Sequence, residues 1–249
     1  GQDTTVPWEL IVVDNGSTDG SGAVAGAFLA AHQGSSLVRT AVVRFDDVIG
    51  YASPRNEGVR SASAPLLAFC DADDTVATGW LDAIVAALSL HPLVGSSIEV
   101  MGSGEPSSVV VPTTFGIPVV HTCGLGCTRA LFDSLGGFDP AFDAGGEDVD
   151  FSIRARLVQG VVPALAPGAD YRLHLRTSLG ARWRQAYRNG RSQVRLVDRH
   201  GASLGIPSSS WRLLVHRLTD LVRWSPRLLR ADSRPGYVGS IGVVAGRLV

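Results

Sequence analysis

Apolar positions along the chain gather into short runs separated by turn residues. Residues 9–13 (ELIVV) form a β-branched run that stops at Asp14, followed by the turn-rich NGSTDGS and an Ala-rich helical stretch over residues 21–32. The same order recurs at residues 37–43 (LVRTAVV), where the next helix enters near Pro54, a residue suited to a first helical turn. It recurs again at residues 65–70 (PLLAFC), where Thr78 is placed to N-cap the apolar helix GWLDAIVAALSL. Repeated βα units predict an α/β fold with a mostly parallel sheet flanked by helices.

Beyond Pro92 the pattern loosens into candidate strands at residues 94–101, 109–111 and 117–121, and a short helix at 128–135 stopped by Gly136 and Gly137. Residues 147–159 read as a helix, with acidic residues at its start, Arg154 and Arg156 towards its end and Gly160 beyond, in accord with the helix dipole. After Ala169 arginine becomes frequent, and residues 179–200 and 209–224 show two amphipathic helical patterns. The pattern divides the chain into a domain over 1–175 and an Arg-rich helical extension over 176–249.

Composition narrows the class. With 45% apolar and 18% charged residues the 249-residue chain can build a sizeable core and is not disordered. Three cysteines, Cys70, Cys123 and Cys127, make no disulfide framework, and no Cys/His pair completes a structural zinc site, so a reducing, cytoplasmic compartment is expected. The first nine residues show neither a basic nor an apolar leader region, and no run of 18 apolar residues reads as a membrane span.

The formal net charge of −1 conceals a split. Residues 1–150 hold 5 Arg against 19 acidic residues, a net of −14, and residues 151–249 hold 17 Arg against 4 Asp, a net of +13. In the acidic part, Asp14 and the Asp71, Asp73, Asp74 cluster fall at the ends of predicted strands, where ligands of open α/β sheets bind. Carboxylates so close repel unless a cation offsets them, and hard oxygen ligands suit Mg or Mn shared with phosphate. A solvated acidic turn capping the next helix fits the same four residues, and the cluster alone leaves both readings open.

Three segments carry a resemblance. VVDNGSTDGS (12–21), SPRNEGVRSASAPLLAFCDADD (53–74) and GLGCTRALFDSLGGFDPAFDAGGEDVDFSIRARLVQG (124–160) resemble, in order and spacing, the signatures of family 2 glycosyltransferases with a GT-A fold. The resemblance implies a metal-dependent, inverting transfer of a sugar from a nucleotide-sugar donor to a hydroxyl acceptor, a glycan or a lipid-linked one. It implies that Asp14 contacts the nucleotide base, that Arg55, Asn56 and Gly58 line the nucleotide pocket, and that Asp71 faces the ribose while Asp73 binds Mg or Mn, with Asp74 behind them. Asp148 then acts as general base, with Glu147 as the alternative. His174 is placed to meet the metal, Arg176 and Arg182 the diphosphate, and Trp80 and Gly126 the acceptor side.

Two departures qualify it. Leu179 stands where processive members carry Gln in a QxxRW signature, which argues against a processive polymer synthase. The family's opening strand, with its P-T-x-N-like segment, has no counterpart before Glu9; truncation, substitution by a segment such as residues 240–249, or an incomplete and inactive domain each account for that. A non-catalytic nucleotide-sugar-binding or assembly module is the alternative function. The basic helices suit a peripheral contact at the inner face of the cell membrane, or packing on protein; no nucleic-acid module accompanies them.

Overall fold

The computed structural model describes residues 2–32, 36–101, 111–174 and 178–206. The chain runs β1 (Trp8–Asp14), α1 (Ser21–Ala31), β2 (Leu37–Arg44), α2 (Ala52–Ser61), β3 (Leu66–Ala68), β4 (Thr75–Val76), α3 (Trp80–Leu88) and β5 (Leu93–Met101). It continues through β6 (Thr113–Thr114), β7 (Ile117–Pro118), β8 (Leu125–Thr128), α4 (Arg129–Ser134), a 3-10 turn (Pro140–Phe142), α5 (Glu147–Gln159), β9 (Ala164–His174) and α6 (Leu179–His200). Two compact units result, one of residues up to Asp143 with Glu147–His174, the other of Ala144–Gly146 with residues from Leu175 on.

The α/β class expected from the βα repeats holds, but the sheet is mixed rather than mostly parallel. β1 and β2 pair in parallel as a separate two-stranded sheet, and a second sheet has the order β3-β8-β5-β9-β4. In the second sheet only β5 and β9 run parallel; β8 lies antiparallel to both β3 and β5, and β4 antiparallel to β9. The reason is local. Gly124, in the left-handed region at φ 91, leads directly into β8, which pairs antiparallel with β3 and β5.

Successive residues of a strand face opposite sides of a sheet, and here each side has its own core. Leu93, Leu67, Leu125 and Cys127 join Phe132, Phe138 and Phe151 in one cluster, while Val94 joins Trp80, Ile84, Leu88, Ala166 and Ala169 in the other. In the first, the rings of Phe69, Phe132, Phe138 and Phe151 pack with centroids 5.2 to 6.2 Å apart, stacked, edge-on or tilted. This cluster joins α2, α4 and α5 to the five-stranded sheet and so fixes the start of α5, where Glu147 and Asp148 lie.

The bounds of α5 and α6 fall where the sequence pattern puts them. Thr128 caps α4, its hydroxyl accepting from the Leu131 N–H at 3.2 Å. Thr78 does not cap α3: Gly79 takes the N-cap position, and the Thr78 carbonyl accepts from the Asp3 N–H. β9 has no counterpart in the predicted strands. Its ladder to β5 slips between Gly95 and Ser97, whose partners are Leu165 and Asp170, and the intervening residues bulge through Gly168 at φ +80. In the second unit, Ser178 caps α6 by accepting from the Ala181 N–H, and Trp183 stacks on Tyr187 at 5.3 Å. The predicted helix at 209–224, most of the strand at 109–111, and residues 240–249 lie outside the described residues.

Candidate active site

β3 delivers the chain to the acidic turn, and β9 holds that turn in place. The Asp71 N–H donates to the Tyr171 hydroxyl oxygen at 3.1 Å, and the Tyr171 hydroxyl donates to Asp74 Oδ2 at 2.9 Å. The other oxygen of Asp74, Oδ1, accepts from the His174 N–H at 2.7 Å. Tyr171 is fully buried, and burial with the acidic groups around it pushes its hydroxyl well above the usual range, so it stays a donor. With Asp74 fixed in this way, carboxylate oxygens of Asp71, Asp73 and Asp74 lie within 4.8 Å of one another.

Arg55, near the start of α2, joins this cluster to α5. Its Nη2 donates to Asp71 Oδ1 and its Nη1 to Glu147 Oε1, both at 2.7 Å. Arg55 keeps 18% of its side-chain surface and Glu147 only 5%, so the guanidinium is a buried bridge between two acidic groups. Burial, reinforced by the adjacent Asp148 charge and opposed by Arg55, pushes the Glu147 carboxyl up to about 7.

Asp148 titrates the other way. Burial works against its charge, but the His121 imidazole and the N–H groups of Thr122 and Val149 outweigh it and hold the carboxyl below its ordinary value. Oδ2 of Asp148 lies 3.1 Å from His121 Nδ1 and accepts from the Thr122 N–H at 3.1 Å, while Oδ1 accepts from the Val149 N–H at 2.8 Å. For His121, burial tends to discharge the ring, and the hydrogen bond and charge of Asp148 with Glu147 prevail, raising its pKa.

The remaining expected residues divide. Asp14 ends β1 with Oδ1 accepting from the Ser17 N–H at 3.0 Å and Oδ2 from Arg44 at 2.9 Å; these partners lower its pKa. His174 sits at the end of β9 beside the acidic turn, with Nε2 3.4 Å from Thr75 Oγ1. Asn56 spends both polar ends on the Phe138 backbone, accepting from its N–H at 3.0 Å and donating to its carbonyl at 2.8 Å, so it clamps the loop before α5. Gly58 serves packing, since a Cβ there would meet Val13 at 3.0 Å. Trp80 is enclosed in the core with its indole N–H donated to Ser96 Oγ at 2.8 Å, which leaves no ring face for an acceptor sugar. Gly126 is buried in β8, where a Cβ would strike Ile84 at 2.8 Å and Val94 at 2.9 Å, so a glycine there serves the packing of the core. Arg176 and the side chain of Arg182 lie outside the described residues.

Two residues of the site escaped the sequence reading. Tyr171 belongs to the alternation ADYRLH, whose buried Ala169 and Tyr171 between exposed Asp170 and Arg172 are the mark of a strand. His121 closes the apolar run IPVV with a polar group, a weaker signal. The cluster's chemistry suits a hard divalent cation: its donors are carboxylate oxygens, Asp74 is oriented by two hydrogen bonds, and Asp73 is exposed and open to share a cation with phosphate oxygens.

A mixed sheet with helices on both faces and an acidic turn beyond β3 is the architecture of the GT-A glycosyltransferases, and comparison with known proteins agrees. The family model of glycosyl transferase family 2 matches residues 2–115. It is 33% identical over 94 residues to glycosyltransferase AglE of Haloferax volcanii and 38% identical over 78 residues to succinoglycan biosynthesis protein ExoU of Rhizobium meliloti. These matches take in 37% and 31% of this chain, and only 29% and 21% of the two relatives' lengths. Among solved structures, mannosyltransferase PcManGT from Pyrobaculum calidifontis, in complex with GDP-Man and Mn2+, superposes with a TM-score of 0.67 at 17% identity, over 96% of this chain and 76% of that one. TarS 1-349 of S. aureus in complex with UDP gives 0.54 at 18% identity, over 99% and 82%.

Proposed function

We propose that this domain is a metal-dependent, inverting glycosyltransferase that moves a sugar from a nucleoside-diphosphate donor to a hydroxyl acceptor. One observation carries the reading: a continuous line of groups from the acidic turn (Asp71, Asp73, Asp74) through Arg55 to Glu147, with Asp148 next to it. In-line displacement at an anomeric carbon needs charge neutralisation on one face and a proton acceptor on the other, and this line separates the two tasks. Asp73 and Asp71, with His174 beside them, would hold Mg or Mn, which would supply charge neutralisation for the departing diphosphate. Arg55 holds Asp71 towards the ribose, Asp14 receives the base, and Asp148 marks the acceptor side.

The likeness to a mannosyltransferase in complex with GDP-Man and to a succinoglycan biosynthesis protein supports a nucleotide-sugar donor and a glycan or lipid-linked acceptor. We assign α6, with exposed Arg184, Arg191 and Trp183, to a peripheral contact with an anionic membrane surface; no described helix is long and apolar enough to cross a membrane. Vesicle flotation with and without anionic lipid reads that contact. The activity is tested by transfer assays over a panel of nucleotide sugars with Mn, Mg or chelator. Asp73→Ala is expected to lower transfer by about 10² to 10³, and transfer indifferent to both chelator and Asp73→Ala overturns the reading.

A further inference from the structure

Asp148 is the poorer placed member of its own ion pair for taking a proton from an acceptor. Its side chain keeps 13% of its surface, and three N–H or ring N groups already engage its two oxygens. The His121 ring keeps 37%. Nδ1 of His121 faces the carboxylate and therefore carries a hydrogen, which leaves Nε2 as the basic nitrogen of the neutral ring. Among the described residues no protein group bonds Nε2. The pair is held in register one turn further along α5, where Ser152 Oγ donates to the Asp148 carbonyl at 2.9 Å and accepts from the Val120 N–H at 3.1 Å. Val119 and Val120 before His121 and Thr122 after it are buried, so the segment is fixed on both sides of that residue.

We propose that His121 is the proton acceptor of the transfer and that Asp148 is its positioning carboxylate, a carboxylate–imidazole dyad in place of a bare carboxylate base. This deepens the glycosyltransferase reading and rests on it. In the step, the acceptor O–H bond breaks and its proton forms an N–H bond on Nε2. The freed oxygen pair forms the bond to the anomeric carbon, and the bond from that carbon to the diphosphate oxygen breaks with its electrons leaving on the nucleoside diphosphate. The imidazolium is stabilised by Asp148 and, more distantly, by Glu147 on the same helix. Cys123, two residues along, has its thiol pushed up to about 12 by burial and stays neutral beside the ring.

The test compares the wild-type chain with His121→Asn, whose amide N–H can keep the bond to Asp148 while offering no base. Nucleotide-sugar affinity by calorimetry is expected to stay within about twofold while kcat falls by about 10² to 10⁴, and the acid limb of the wild-type kcat/KM profile disappears. Wild-type transfer with His121→Asn retaining kcat within tenfold and the same acid limb overturns the dyad and leaves the function intact. Wild-type inactivity with every donor in the panel overturns the function instead. Should His121→Asn fail to fold, 15N-histidine NMR of the wild type decides: the His121 resonance, assigned by its shift in Asp148→Asn, is expected in the Nδ1–H tautomer, and the Nε2–H tautomer overturns the proposal.

Discussion

β1 and β2 carry Asp14 on a ribbon in which no apolar side chain is fully buried, whereas β5, β8 and β9 hold the acidic turn and α5 against side chains buried on both faces of their sheet. The ribbon is tied down by polar contacts. Glu9 accepts from the N–H groups of Ser63 and Ala64, the Ser63 hydroxyl and Arg39, which together hold its carboxyl at about 2 against partial burial. Asn15 donates to the carbonyls of Phe45 and Val48 and accepts from the Gly50 N–H. The start of α5, with Glu147 and Asp148, depends instead on the packed Phe cluster behind it. Directional polar ties near water adjust at small cost, while a dense aromatic core does not, so one side of the site is built to be compliant and the other to be stiff.

The comparison breaks most visibly at Phe138, which is fully buried. Phe138→Ala is expected to cost about 3 to 5 kcal/mol, read as a lower urea midpoint with loss of the α5 amide protection in hydrogen exchange. An unchanged midpoint would show that the aromatic cluster does not hold the start of α5.

The next effect depends on pH. The folded-state pKa of Glu147 is raised above its unfolded value, from 4.5 to about 7, so the folded state binds this proton more tightly and stability is lost as pH rises through that window. Glu147→Gln removes the titration. Relative to wild type, the variant should gain roughly 2 to 3 kcal/mol between pH 5 and pH 8. Asp148, with its pKa lowered, contributes stability above the ordinary carboxylate range and loses it as pH falls, so Asp148→Asn should shift the curve in the opposite sense. Parallel shifts for the two variants would contradict the geometry.

Tyr171→Phe deletes one oxygen and leaves the Asp71 N–H and Asp74 Oδ2 each short of a partner. A loss of about 1 to 3 kcal/mol is expected, with cation affinity of the acidic turn falling more than in a remote control of equal stability. The smallest effect belongs to the ribbon. Arg39→Ala removes a half-exposed ion pair with Glu9 and should cost under about 1 kcal/mol, less again at high salt. A larger loss would mean the ribbon is stiffer than its burial implies.

The βα order, α5, α6 and the acidic turn were legible because each is written in local pattern: apolar periodicity, a capping residue, a cluster of like charges. The positions of β8 and β9 were not. Gly-Cys-Thr and Ala-Pro-Gly lack the β-branched alternation of a self-evident strand, and both segments become strands by pairing with β5. Likewise Trp80 and Gly126 sit next to chemistry in sequence yet face the core in space, while His121 gains its meaning from a carboxylate 27 residues away. What the motifs supply is residue type; which polar atoms are already spent, as in Asn56 and Asp74, is decided by tertiary partners.

The hydrogen bonds that orient the acidic turn span 97 to 100 residues of chain, and the one from Arg55 to Glu147 spans 92. At a synthesis rate of about 5 to 20 residues per second, Asp71 and Asp74 emerge from the ribosome roughly 5 to 20 s before Tyr171 and His174 can reach them. For most of that interval Glu147 is not yet made, and throughout it the turn lacks the partners on β9 that orient it. The acidic turn therefore gains its geometry late and at one stroke, when the last strand of the unit docks, and a polypeptide released earlier carries every motif up to that point without the bonds that orient it.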